Sequence, residues 1–122
     1  MWIVLLVDDS AVARRLLARR LEADGFRVCE APSMAAARKV DVSSLGCAIL
    51  DLELTDGDGT DLARSLRELR PALPIAFFTG GSAPSLVEGA RSRGPVFLKP
   101  DLAPLLAWVK RCTRPSQPPP SR

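Results

Sequence analysis

Asp8 and Asp9 stand together directly after an apolar run, Ile3-Val4-Leu5-Leu6-Val7, and Asp51 follows another, Cys47-Ala48-Ile49-Leu50. Thr79 follows Ile75-Ala76-Phe77-Phe78, and Lys99-Pro100 follows Val96-Phe97-Leu98. Three carboxylates gathered in one low-dielectric crevice repel one another. Such a cluster is partly protonated or recruits a divalent cation. Aspartate oxygens with water suit Mg2+ or Mn2+ rather than zinc. A lysine ammonium neutralises a further charge and offers a point contact to a phosphoryl oxygen. A threonine hydroxyl can donate to another oxygen, and one carboxylate stays free as a nucleophile. Together these groups fit in-line phosphoryl transfer to a carboxylate, in which positioning and charge stabilisation do most of the catalysis.

Positioning such groups requires that the apolar runs be neighbouring strands with their carboxyl ends together. Five short runs alternate with helical patterns, so the fold class is α/β with a parallel sheet. The strands are expected at Trp2–Val7, Phe26–Ala31, Cys47–Leu50, Ile75–Phe78 and Val96–Leu98. Runs that are apolar throughout, rather than alternating, suit parallel strands covered on both faces. Ser10 caps a helix reaching about Asp24, with Val12, Leu16, Leu17 and Leu21 at helical spacing. An alanine-rich helix over Met34–Val40 follows, then a loop over Asp41–Gly46. After a polar loop from Asp51 to Gly59, a helix runs from Thr60 to about Arg70 with Leu62, Leu66 and Leu69 on one face. Two more are expected over Ala83–Arg93 and from Pro100 or Asp101 to about Arg111. Residues 113–122, rich in proline, read as a flexible tail behind one domain over 1–112.

Composition narrows the function classes. At 122 residues the chain is one domain, with the apolar and charged shares of a soluble globular protein. The cations Lys110, Arg111, Arg114 and Arg122 outweigh the formal net charge of +3, so the body before them is slightly acidic. That argues against direct nucleic-acid binding, which needs a basic face on the domain. Cys29, Cys47 and Cys112 lack metal or disulfide spacing. Cys29 and Cys47 read as small buried residues, and the set suits a reducing cytoplasm. No stretch is long enough to span a membrane. The sequence contains no histidine, so a phosphoryl group must come from another protein or a small phosphodonor.

With these residues in place, the chain resembles a receiver domain of a bacterial two-component response regulator, of the single-domain chemotaxis-regulator type. The resemblance rests on Asp8-Asp9, Asp51, Thr79 and Lys99-Pro100 at successive strand ends, and on Gly59, eight residues after Asp51. It implies a flavodoxin-like, three-layer, doubly wound sheet of five parallel strands in the order 2-1-3-4-5. It also implies roles. Asp51 is the phosphoacceptor. Asp9 binds Mg2+ directly, Asp8 does so through water, and the backbone carbonyl of Glu53 completes the ligands. Lys99 pairs with Asp51 and then with the phosphoryl group, and Thr79 moves toward it. The Lys99-Pro100 bond is expected cis. The implied partners are a sensor histidine kinase or histidine phosphotransfer protein and a downstream protein target. The implied protein is a signalling phosphoacceptor rather than an enzyme.

Two positions depart from the family pattern. Val96 stands where an aromatic is usual, and strand alternation turns Phe97 to the other face. Thr55 stands where proline is usual. A phosphorylation-independent docking module is therefore an alternative. Asp56-Gly57-Asp58-Gly59-Thr60 also matches a haloacid-dehalogenase-type phosphatase motif, but it lies beyond the strand that ends at Asp51. Each polar residue alone has a plainer use: Asp8-Asp9-Ser10 as a helix cap, Asp51 as a turn residue, Lys99 as a solvated cation. Arg14, Arg15, Arg19 and Arg20 read as a solvated face, with Arg15 and Arg19 on the side that the family presents to its phosphodonor. Trp108 reads as core.

Overall fold

The structure, a computed structural model, describes residues 2–113. The proline-rich stretch 114–122 lies outside the described residues. The chain runs β1 (Ile3–Val7), α1 (Ala11–Ala23), β2 (Arg27–Ala31), α2 (Met34–Ala37), a 3-10 turn (Val42–Ser44), β3 (Leu45–Leu50), β4 (Glu53–Leu54), β5 (Gly57–Asp58), α3 (Gly59–Leu69), β6 (Ile75–Thr79), α4 (Pro84–Arg91), β7 (Val96–Leu98) and α5 (Leu102–Cys112). Five strands form a parallel sheet in the order β2-β1-β3-β6-β7. Once the small β4-β5 hairpin is set aside, this is the expected 2-1-3-4-5 order of a flavodoxin-like fold.

Alternation along each strand divides the apolar residues between two layers. Leu5, Val7, Ala48 and Leu50 pack beneath α2, α3 and α4, with Met34, Leu62, Leu66 and Ala90. Val4, Leu6, Cys47 and Ile49 pack beneath α1 and α5, with Leu17, Leu21, Leu105 and Val109. Trp108 is buried in the second layer, where its ring lies 6.4 Å from that of Phe97. Burial pushes the Cys47 thiol up to about 12, as suits an inert packing cysteine. Cys29 is only half-buried. Among the described residues no helix is long and apolar enough to cross a membrane.

Several expected details differ. The buried stripe of α1 is Leu17, Ala18 and Leu21, whereas Val12 is 74% exposed and Leu16 65% exposed. In α3, Leu62 and Leu66 are buried, but Leu69, in the last turn, is exposed. The helix expected over Met34–Val40 stops at Ala37. In the following segment Asp41 accepts from the Ser43 amide and caps the 3-10 turn. β3 starts at Leu45, earlier than Cys47, because Leu45 pairs with Ile3 of β1. The loop after Asp51 carries the β4-β5 hairpin, with Leu54 opposite Gly57. Residues 55 and 56 form its turn, which accommodates Thr55 without the usual proline.

Candidate functional site

Sheet register brings the polar residues together. Val7 pairs with Leu50, so Asp8 and Asp51 leave their strands side by side, and the Asp51 amide donates to the Val7 carbonyl at 2.9 Å. The Asp8 amide donates to Ala31, at the end of β2. Thr79 pairs with Leu98, and the Lys99 amide donates to the Thr79 carbonyl at 2.8 Å. The Lys99–Pro100 peptide is cis, as expected. Gly59 stands so close to Asp51 that a Cβ there would lie 2.1 Å from the Asp51 carbonyl oxygen. This explains the glycine eight residues on: it allows the start of α3 to pass against the strand end.

At the centre, the Lys99 ammonium donates to Asp8 Oδ2 at 2.7 Å and to Asp51 Oδ2 at 3.2 Å. Asp8, only 5% exposed, also accepts the Ser10 amide at 2.9 Å. One oxygen each from Asp8, Asp9 and Asp51 can be chosen so that all lie within 4.8 Å of one another. That hard, oxygen-only donor set fits Mg2+ or Mn2+. Thr79 is 1% exposed. Glu53 opens β4 with its side chain exposed.

One ammonium shared between two carboxylates, with a third beside them, leaves the pocket net negative. The Asp51 side chain is largely buried within it. Burial raises its pKa above the ordinary 3.8, the Asp8 charge adds to the rise, and Lys99 and Thr79 only partly offset it. Burial lowers the Lys99 pKa, but its hydrogen bond to Asp8 and the charges of Asp51 and Asp8 prevail and raise it overall. A carboxyl group whose pKa is higher folded than unfolded contributes stability that is full at low pH and lost as pH rises through the folded value. With divalent cations chelated, Asp51→Asn, which cannot ionise, therefore gains on the wild type as pH rises from the ordinary carboxylate range through the raised folded value of Asp51. The readout is the difference in thermal midpoints; a difference that stays flat with pH contradicts the assignment.

Two residues beyond those expected at the site touch it, Arg14 and Ser82. Arg14 is not on a solvated face. Its side chain is 13% exposed and donates to the Asp8 carbonyl at 2.7 Å and to Glu30 at 3.0 Å. The available signal was Glu30, a carboxylate set between Cys29 and Ala31 in β2. Arg15, by contrast, is largely exposed and lies with Arg19 along an open groove on α1. Asp56 is engaged at the start of α2: its two oxygens accept the Met34 and Ala35 amides at 3.0 and 3.1 Å. Those bonds hold its pKa below the usual carboxylate value. Asp58 accepts from the Thr60 amide and hydroxyl, both at 2.8 Å, and caps α3. The phosphatase-like motif is thus committed to two helix N-termini. Asp56→Ala should lower the thermal midpoint by loosening α2 and leave phosphoacceptance intact. Loss of the modification with the midpoint unchanged would instead place Asp56 in the chemistry. Ser82 is the second such residue: its hydroxyl oxygen lies 2.5 Å from that of Thr79.

Comparison with known proteins agrees with this geometry. The sequence model of the response regulator receiver domain family matches residues 4–98. Over 88 residues the chain is 41% identical to the KDP operon transcriptional regulatory protein KdpE of Escherichia coli (strain K12), covering 67% of this chain and 36% of that protein. Over 81 residues it is 38% identical to the photosynthetic apparatus regulatory protein RegA of Rhodovulum sulfidophilum, covering 66% and 44%. The chain thus spans less than half the length of these relatives. Among solved structures, a response regulator receiver protein from Pseudomonas putida superposes with a TM-score of 0.80 at 32% identity, covering 90% of this chain and 96% of that one. The non-phosphorylated HemR receiver domain from Leptospira biflexa gives 0.81 at 28% identity, covering 97% and 98%.

Proposed function

The chain belongs to the response regulator receiver domain family, and from that premise we propose that it accepts a phosphoryl group on Asp51 from a partner phosphohistidine. The observation that carries this reading is the Lys99 ammonium bridging Asp8 and Asp51 beside a third carboxylate. In the transfer, an Asp51 oxygen forms a bond to phosphorus as the donor P–N bond breaks. The electron pair leaves with the imidazole nitrogen, which takes a proton from solvent. Lys99 shifts from Asp51 to a phosphoryl oxygen and keeps Asp8, and the Thr79 hydroxyl donates to another oxygen. Asp8, Asp9, Asp51 and the Glu53 carbonyl would hold Mg2+ or Mn2+. When bound, the cation neutralises charge on the phosphoryl oxygens and the carboxylates. Hydrolysis later cleaves the O–P bond and restores the Asp51 carboxylate.

On this reading the domain covers residues 1–112 and works in the cytoplasm as a phosphoacceptor rather than a turnover enzyme. Its donor is a sensor histidine kinase or histidine phosphotransfer protein, and its output is contact with a downstream protein. The test uses acetyl phosphate as a small donor. With Mg2+ the protein should gain an acid-stable, base-labile phosphoryl adduct, and with EDTA it should gain almost none. No adduct, or one indifferent to chelation, would overturn the proposal.

A further inference from the structure

Ser82 is the residue of the site that the reaction above leaves unused. Its hydroxyl oxygen lies 2.5 Å from that of Thr79, and either could donate. Thr79 has one proton to place. The neighbouring Asp51 carboxylate is the stronger acceptor, because bonds to an ionised group are about twice as strong as neutral ones. Thr79 also contributes, as the smallest influence, to lowering the pKa of the Asp51 carboxyl. With Ser82 as the donor to Thr79, the Thr79 proton is left free for an anionic acceptor in the pocket.

Ser82 also stands where the sheet ends and a helix begins. It closes the turn Gly80-Gly81, in which Gly81 takes a φ of 75°, and it precedes Ala83, the cap position of α4. Ala83 makes no side-chain cap bond, so nothing else of that kind fixes the first turn of α4. Val96, the other route from Thr79 toward α4, has no polar atom and packs in the apolar layer. We propose that Ser82 is a positioning residue that accepts no proton from Thr79, leaves it free for the pocket, and couples Thr79 to the start of α4. When Thr79 moves toward a phosphoryl oxygen, the Gly80-Gly81 turn and the first turn of α4 move with it. The proposal rests on the phosphoacceptor reading of Asp51.

Beryllofluoride with Mg2+, a non-covalent phosphoryl mimic, is the probe. Its affinity and the hydrogen exchange of amides 84–91 are measured in the wild type, Ser82→Ala, Ser82→Thr, Thr79→Ala and the double alanine variant. Ser82→Ala should weaken binding by roughly threefold to tenfold, the range for loss of one hydrogen bond. It should also remove the change in α4 exchange that beryllofluoride produces in the wild type. Ser82→Thr, which keeps the hydroxyl, should restore both. In the Thr79→Ala background Ser82→Ala should add nothing. Equal effects of Ser82→Ala in both backgrounds, or an undiminished α4 response, would overturn the coupling while leaving the phosphoacceptor reading in place. A wild type that does not bind beryllofluoride would overturn both.

Discussion

Asp51→Asn is expected to remove the phosphoryl adduct completely while the protein stays folded. The amide keeps the shape of the carboxylate but has no anionic oxygen to attack phosphorus, so no acyl phosphate can form. Asp8 and Asp9 cannot easily take over. Asp8 is engaged by the Lys99 ammonium and the Ser10 amide. Asp9, partly exposed in the loop after β1, belongs to the acidic group, whereas the Lys99 hydrogen bonds go to Asp8 and Asp51. Folding should not suffer, because Asp51 is a group whose burial disfavours its own charge. Circular dichroism and the thermal midpoint in EDTA report the fold, and intact-mass measurement reports the adduct. An unchanged adduct in a folded variant would move the nucleophile elsewhere. The same variant separates signalling by phosphorylation from a constant docking role: a phosphorylation-independent module keeps its partner when Asp51 is Asn.

Lys99→Ala should have the next largest effect, and in two ways. Its removal leaves Asp8 and Asp51, both largely buried, facing each other with no cation between them. Loss of hydrogen bonds to charged groups costs about 1.5–3 kcal/mol each, but the Lys99 head is partly exposed and solvent recovers part of that. A net destabilisation of about 1–3 kcal/mol in urea titration is expected. Because Mg2+ then becomes the pocket's main counter-charge, it should stabilise the variant more than it stabilises the wild type. Transfer from acetyl phosphate should also slow by about 10²–10³-fold, the usual loss when one preorganised donor to a developing charge is removed. Lys99→Arg keeps the charge, but its planar fork suits a single bridging point poorly, so it should fall between. Wild-type stability and rate in Lys99→Ala would deny the ammonium its place.

The strand ends were legible because each buried strand is written as an apolar run that stops at a polar residue, and parallel strands place those stops side by side. The register that joins Val7 to Leu50 and Thr79 to Leu98 then follows from the fold. Helix faces were less legible. Val12, Leu16, Leu17 and Leu21 share a helical period, but the apolar arc is wider than the strip that the sheet covers, and only tertiary packing selects Leu17, Ala18 and Leu21. Leu69 fits the stripe of α3 but falls at the last turn, past the edge of the layer. Asp56 was hard to place because its partners are main-chain amides of α2, distant in sequence. Arg14 and Ser82 were missed for a related reason. Each acts on a residue already singled out, Asp8 and Thr79, through contacts that appear only once the loops after the strands have closed. The alternation that turns Phe97 toward Trp108 and leaves Val96 in the opposite layer was, by contrast, readable from three residues.

Mapping the modified carboxyl group tests the central assignment most directly. Borohydride reduces an acyl phosphate but spares free carboxylates, so it converts a phosphorylated aspartate to homoserine. Protein treated with acetyl phosphate and Mg2+, reduced, digested and mapped by mass spectrometry should carry homoserine at position 51. Conversion at Asp8, Asp9 or Asp56 in place of Asp51, or no conversion in a sample that carries the adduct, would contradict it.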